Sequence, residues 1–192
     1  MKRASVRRSE LCAVELLSAQ AFSSIYDLAA LSIPRLTLPV EVTFEGFSSF
    51  TRKTGVPLPD PTPEGMTLRH AGRYFVLYND RAENERRLCF TLAHELGHIM
   101  LGHAGEDEVR EEREANAFAA SLLSPAIVFH YLTYRDGHVP SAEEMTAVFP
   151  LSREAAENRL RDLCRKKPAR PADCEIALLL HLFGKLPPAF SE

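Results

Sequence analysis

The 192-residue chain has no tryptophan, and its four cysteines, Cys12, Cys89, Cys164 and Cys174, form no CxxC pair. Nothing here resembles a small secreted disulfide framework. Nine glycines and thirteen prolines are too few for a fibrous or low-complexity chain. Neither charge sign dominates: 23 Lys and Arg stand against 26 Asp and Glu, for a net charge of −3. A whole-chain electrostatic case for nucleic acid is therefore missing, and no direct nucleic-acid binding is expected. No apolar run approaches the roughly 20 residues that span a bilayer. The basic stretch from Met1 to Cys12 lacks the apolar region of a signal peptide. These absences lead to the expectation of a cytoplasmic, reducing setting with no membrane. What remains is ordinary globular composition, 45% hydrophobic and 26% charged, long enough to bury a core without covalent staples.

Along the chain, apolar positions from Glu10 to Leu31 fall at helical spacing, with a break at Ser23-Ser24. Val40–Phe44 alternates with period two, as a half-buried strand does. The prolines between Val56 and Pro63 require a loop. Met66–His70 and Tyr74–Tyr78 read as two strands of a hairpin turning at Ala71-Gly72-Arg73. Helical patterns then cover Asn84–Leu101 and Glu106–Leu123, with Gly102 and Gly105 between them and Ser124-Pro125 as a stop. Further helices are expected over Ile127–Tyr134, Ala142–Phe149, Ser152–Leu163, with Ser152 as N-cap, and Ala172–Phe183. The expected class is α+β, a small β-sheet packed against several helices. The chain divides into an N-terminal helix, strand and Pro-rich loop over residues 1–65, a core over 66–125 and a helical C-terminal region over 126–192, together one compact unit.

The chemistry concentrates in Phe90–Leu101. His94 and His98 are four residues apart, so on a helix both imidazoles project from one face and reach one ion at the roughly 2.0–2.1 Å that zinc requires. Glu95 follows His94; in such helices it does not ligate, but takes a proton from the attacking water. A zinc peptidase needs a third protein ligand and an open fourth position. The candidates after His98 are His103, Glu106, Asp107, Glu108, Glu111, Glu112 and Glu114. His103, five residues on, is expected to project away from the His94–His98 face. The apolar stripe Ala115, Phe118, Ala119, Leu122 favours Glu111 or Glu112 over Glu114. Asn116 breaks the tie: it lies one turn after Glu112, where it can brace a ligand histidine and fix its tautomer. Glu106, Asp107, Glu108 and Glu114 are read as acids that complement the helix dipole and solvate its face.

The run Phe90-Thr91-Leu92-Ala93-His94-Glu95-Leu96-Gly97-His98, followed by Glu112-Arg113-Glu114-Ala115-Asn116 and on to Pro125, resembles the ImmA/IrrE family of zinc metallo-endopeptidases. Tyr74–Asn79 is similar to that family's strand ending in Asn, Arg87 to its arginine before the helix, and Leu151–Leu160 to its later helix. The resemblance covers Tyr74–Pro125 and extends to Leu163. Ser124 stands where the family usually has methionine, and Cys89 where a polar residue is common. The resemblance implies a zincin-like HExxH helix plus a following Glu-bearing ligand helix, one Zn2+ per chain held by His94, His98 and Glu112, and Glu95 as general base.

It further implies an intracellular endopeptidase that cuts a regulatory protein at a specific site, an XRE-type helix-turn-helix repressor being the expected partner. No helix-turn-helix is evident ahead of the motif, so that partner is expected to be a separate polypeptide. The competing reading is a non-catalytic zinc-containing module that binds a toxin, antitoxin or regulator; an intact Glu95 weighs against it. A third reading makes Arg153, Arg159, Arg161, Arg165, Lys166, Lys167 and Arg170 a DNA-binding patch, but Glu154, Glu157 and Asp162 interleave them and favour a solvated helical face. For the oxyanion, Tyr74, Tyr78, His70, His103, His130 and Tyr131 are all candidate donors.

Overall fold

A computed structural model describes residues 2–82, 84–166 and 170–186. The first helix, α1 (Lys2–Ser18), ends earlier than the periodicity predicts. Ala19–Ile25 then forms a loop in which the Asp27 carboxylate accepts the backbone N–H groups of Ser23 and Ser24, starting the short α2 (Tyr26–Ala29). After a 3-10 turn at Ile33–Arg35 come β1 (Val42–Gly46) and α3 (Phe47–Thr54), a helix the sequence reading missed. The Pro-rich loop leads into β2 (Gly65–His70) and β3 (Arg73–Tyr78). Their turn places Ala71 and Gly72 at φ 50° and 80°, as a tight hairpin requires. The sheet order is β1-β3-β2, with β1 parallel to β3 and β2 antiparallel to it, so β2 is an edge strand.

Two long helices follow, α4 (Glu85–Leu101) and α5 (Glu108–Leu123). Each starts at a side-chain cap: Asn84 accepts the N–H of Arg87, and Asp107 accepts that of Arg110. Asp107 therefore does more than solvate a helix face. The C-terminal helices are α6 (Ala126–Asp136), α7 (Ala142–Val148), α8 (Arg153–Arg165), capped by Ser152, and α9 (Asp173–Phe183). The fold is α+β, as the pattern predicts.

One buried cluster joins Ala13, Val14 and Leu17 of α1, Leu92, Ala93 and Leu96 of α4, Phe118, Ala119 and Leu122 of α5, and Leu178 and Leu179 of α9. Helix α5 is central, with α4 against one side and α1 against another. Close approach of α4 and α5 depends on Gly97, where a Cβ would lie 3.2 Å from the Cα of Ala115 and 3.1 Å from the Phe118 ring. The stretch Glu108–Asp136 contains a window long and apolar enough to cross a membrane, unlike the sequence expectation. It folds instead as α5 and α6, broken at Ser124-Pro125, and 72% of that window is buried in the core.

The suggested basic patch is dispersed. Arg159 is buried, its Nε donating to the Ser124 hydroxyl and its Nη2 to the Ser124 carbonyl, at 3.0 and 2.8 Å. Arg153 pairs with Glu157, and Lys166 with Glu10 and Asp162. Lys167 lies outside the described residues. Because Arg159 locks α8 onto the α5–α6 corner, Arg159→Met should strand the buried Ser124 acceptors and cost about 1–3 kcal/mol, read as a lower midpoint in urea unfolding. An unchanged midpoint would remove that role.

Candidate metal centre

Helix α4 rises behind the sheet with its buried face, Leu92, Ala93, Leu96 and Ile99, locked in the core. This packing fixes the rotation of the helix and turns His94 and His98 toward α5. Their Nε2 atoms are 3.1 Å apart. Glu112 on α5 brings Oε2 to 3.3 Å from His94 Nε2 and Oε1 to 3.2 Å from His98 Nε2. A tetrahedral ion at zinc distances has ligand atoms about 3.3 Å apart, so the three side chains already stand at the spacing of one tetrahedral face. The donor set, two imidazoles and a carboxylate, suits zinc and leaves a fourth position for solvent or substrate.

Protonation fits the same arrangement. Asn116, one turn after Glu112, presents its Oδ1 to His94 Nδ1 at 3.2 Å. An amide oxygen only accepts, so the His94 proton sits on Nδ1 and the Nε2 lone pair faces the centre. Burial, together with neighbouring His94, holds His98 below the ordinary histidine range, against the pull of Glu112. The neutral, ligating form is therefore favoured.

Glu95 lies on the side of α4 that meets the sheet. The Thr67 hydroxyl of edge strand β2 donates to Glu95 Oε2 at 2.7 Å. Burial pushes the Glu95 carboxyl above the ordinary carboxylate range, opposed by the Thr67 hydrogen bond and His94 and reinforced by the charge of Glu112. A raised pKa makes a better proton acceptor near neutrality. Gly65 is needed beside it: a Cβ there would lie 2.6 Å from Thr91 and 3.1 Å from the Glu95 side chain.

An open cleft of about 260 Å³ runs past these groups, lined by Glu64, Gly65, Phe90, Thr91, His94, Glu95, Glu112 and Asn116. At its rim Arg87 is ion-paired with Glu64. None of Tyr74, Tyr78, His70, His103, His130 or Tyr131, the candidate oxyanion donors, lines this cleft.

Two expectations for residues beside the centre need correction. Glu114 is not a solvated acid: it is 5% exposed, and it accepts from Arg110 Nε at 2.8 Å while its other oxygen lies 3.2 Å from His103 Nε2. Burial works against its charge, but hydrogen bonds from Arg110, Ser5 and His103 hold its carboxyl at about 2. The flank of α5 that carries Glu114 looked open on a helical wheel, but α1 packs against α5 and Ser5 bonds to Glu114. His103 does not project away either. Gly102 takes a left-handed φ of 68° that ends α4 and folds the chain back, placing His103 Nδ1 3.0 Å from His98 Nδ1. Glu111, the alternative to Glu112, accepts the backbone N–H groups of Ala104, Gly105 and Glu106 and ties down the α4–α5 loop. With His98 and His103 it makes a second cluster of potential metal ligands. Thr67 was also missed; only the pairing of β2 beside α4 brings it to Glu95.

A sequence model of the Peptidase_M78 family, described as the IrrE N-terminal-like domain, matches residues 49–161, more than half of the chain. The match starts ahead of the motif resemblance and takes in most of α3, the hairpin, both long helices and most of α8. No curated protein matches the chain.

Proposed function

Since the chain belongs to the Peptidase_M78 family of metal-dependent peptidases, we propose that it is an intracellular zinc endopeptidase that cuts a regulatory protein, with an XRE-type helix-turn-helix repressor as substrate. Convergence of His94 Nε2, His98 Nε2 and the Glu112 carboxylate at 3.1–3.3 Å, beside Glu95 in an open cleft, carries this function. His94, His98 and Glu112 hold the ion. When bound, zinc supplies Lewis acidity, which polarises a carbonyl and lowers the pKa of water toward about 7.

The protein's own groups do the rest. Glu95 accepts a proton from the attacking water as its oxygen bonds to the scissile carbonyl carbon. It then returns that proton to the leaving amine as the C–N bond breaks. Thr67 keeps the Glu95 carboxylate aimed at the cleft, and Asn116 keeps His94 in its ligating tautomer. A module that only stored zinc would have no use for a base held in this way.

Co-expression of the chain with a panel of XRE-type repressors, read by mass spectrometry, tests the proposal. Discrete repressor fragments that appear with the wild-type chain and disappear on zinc chelation are expected. Intact repressors throughout, with zinc bound, would leave the binding module instead. Thr67→Val removes the hydroxyl that aims Glu95 and should slow cleavage about tenfold, or about 1.4 kcal/mol, with zinc content unchanged. A variant as fast as wild type would free Thr67 of that role.

A further inference from the structure

We propose that His103 and Glu114 are positioning residues that hold His98 in the tautomer a metal requires, through a hydrogen-bonded relay running behind the centre from Arg110 to His98. The inference rests on the metal-centre reading above and extends it to residues that touch neither ion nor substrate.

The relay is continuous, running from the solvent-exposed Arg110 through two buried middle members. Arg110 Nε donates to Glu114 Oε1 at 2.8 Å, Glu114 Oε2 lies 3.2 Å from His103 Nε2, and His103 Nδ1 lies 3.0 Å from His98 Nδ1. The side chains of His103 and Glu114 are only 6% and 7% exposed.

Direction follows from donor and acceptor capacity. The Arg110 guanidinium only donates, and the ionised Glu114 carboxylate only accepts. The nitrogen facing Glu114 must then carry a proton, so His103 donates from Nε2. A neutral imidazole with its proton on Nε2 has a bare Nδ1, which accepts. His98 therefore donates from Nδ1, and its bare Nε2 points at His94 and Glu112. The opposite polarity would put a proton on His98 Nε2, where the ion must sit.

Each ligand histidine thus has its own brace. Asn116 serves His94 directly, while His98 is reached through His103, which the reversal at Gly102 brings back against it. A buried carboxylate anchors the far end, as outer-shell partners of metal-bound histidines commonly do.

The competing use of these side chains is a second metal held by His98, His103 and Glu111. The Glu111 oxygens are already occupied by three backbone N–H groups, and His103 Nε2 is held by Glu114. An ion there would also need the Nδ1 lone pair of His98 while Nε2 serves the first centre. The relay leaves no such conflict.

The test uses the full-length chain and measures zinc affinity by competition with a chromophoric chelator. His103→Leu removes the acceptor and should weaken zinc binding by about 10- to 100-fold. His103→Gln, whose amide oxygen can accept from His98, should recover most of that loss. Long-range 15N NMR of the zinc-loaded wild type should place the proton of His98 on Nδ1 and that of His103 on Nε2. The NMR result holds the proposal to account even if His103→Leu fails to fold. His103→Leu with wild-type affinity, or His103 protonated on Nδ1, overturns the relay. His94→Ala separates the two levels: if it leaves zinc affinity unchanged, the metal-centre reading fails. If it abolishes binding while His103→Leu does not weaken it, the relay alone fails.

Discussion

Replacing Glu95 with glutamine should leave zinc in place and slow peptide hydrolysis by about 10²- to 10⁴-fold, the usual worth of a positioned general base. The substitution is nearly isosteric. Thr67 can still donate to the side-chain oxygen, so the fold and the cleft should persist. What is lost is a group that can take a proton: an amide oxygen is far too weak a base near neutral pH. Glu95 is not within the cluster His94, His98 and Glu112, so the metal should not notice the change. Zinc content and cleavage of a repressor substrate, measured on the same preparation, check both halves. Full cleavage would dismiss Glu95 as base, and lost zinc would recast it as a ligand.

Glu112→Gln should act in the opposite way, stripping zinc and abolishing activity as a consequence. The carboxylate is the only anionic donor among the three groups, and it closes a face whose other corners are neutral imidazoles. An amide keeps the shape and removes the charge. Loss of a direct ligand should exceed the roughly 10- to 100-fold that loss of an outer hydrogen-bond partner costs. Glu112 is half exposed at 49%, so replacing it leaves no buried cavity and thermal stability of the metal-free protein should hold. Elemental analysis of wild type and variant purified side by side reads the difference; equal zinc in both would pass the ligand role to Glu111.

Much of this centre was legible in the sequence because it follows helical spacing. His94 and His98 at i and i+4 share a face whatever surrounds them, and Glu112 with Asn116 repeats that logic on the next helix. Strand and helix boundaries near the site were likewise marked by local chemistry: the helical pattern beginning at Asn84, the prolines before β2, and the turn at Ala71-Gly72.

The parts that escaped depend on which element covers which. Glu114 and Glu112 lie on opposite flanks of one apolar stripe, and only the packing of α1 makes one flank interior. His103 follows a glycine whose positive φ redirects the chain, so its distance along a helical wheel had no meaning. Thr67 reaches Glu95 across 28 residues of sequence, a contact made by sheet placement and not by periodicity. Arg159 looked like surface charge among other cations, yet faces the Ser124 carbonyl, a partner 35 residues away. Helix α3 fits the same pattern in a weaker form. Its eight residues follow β1 directly, and its serines, threonines and paired cations do not stand out as a helix when read alone.

The most direct test is anomalous diffraction at the zinc edge from crystals of the zinc-loaded chain. One strong peak is expected, about 2.0–2.2 Å from His94 Nε2, His98 Nε2 and a Glu112 oxygen, with a fourth position open toward the Glu95 cleft. A peak among His98, His103 and Glu111 instead, or none at any of these residues, would contradict the account.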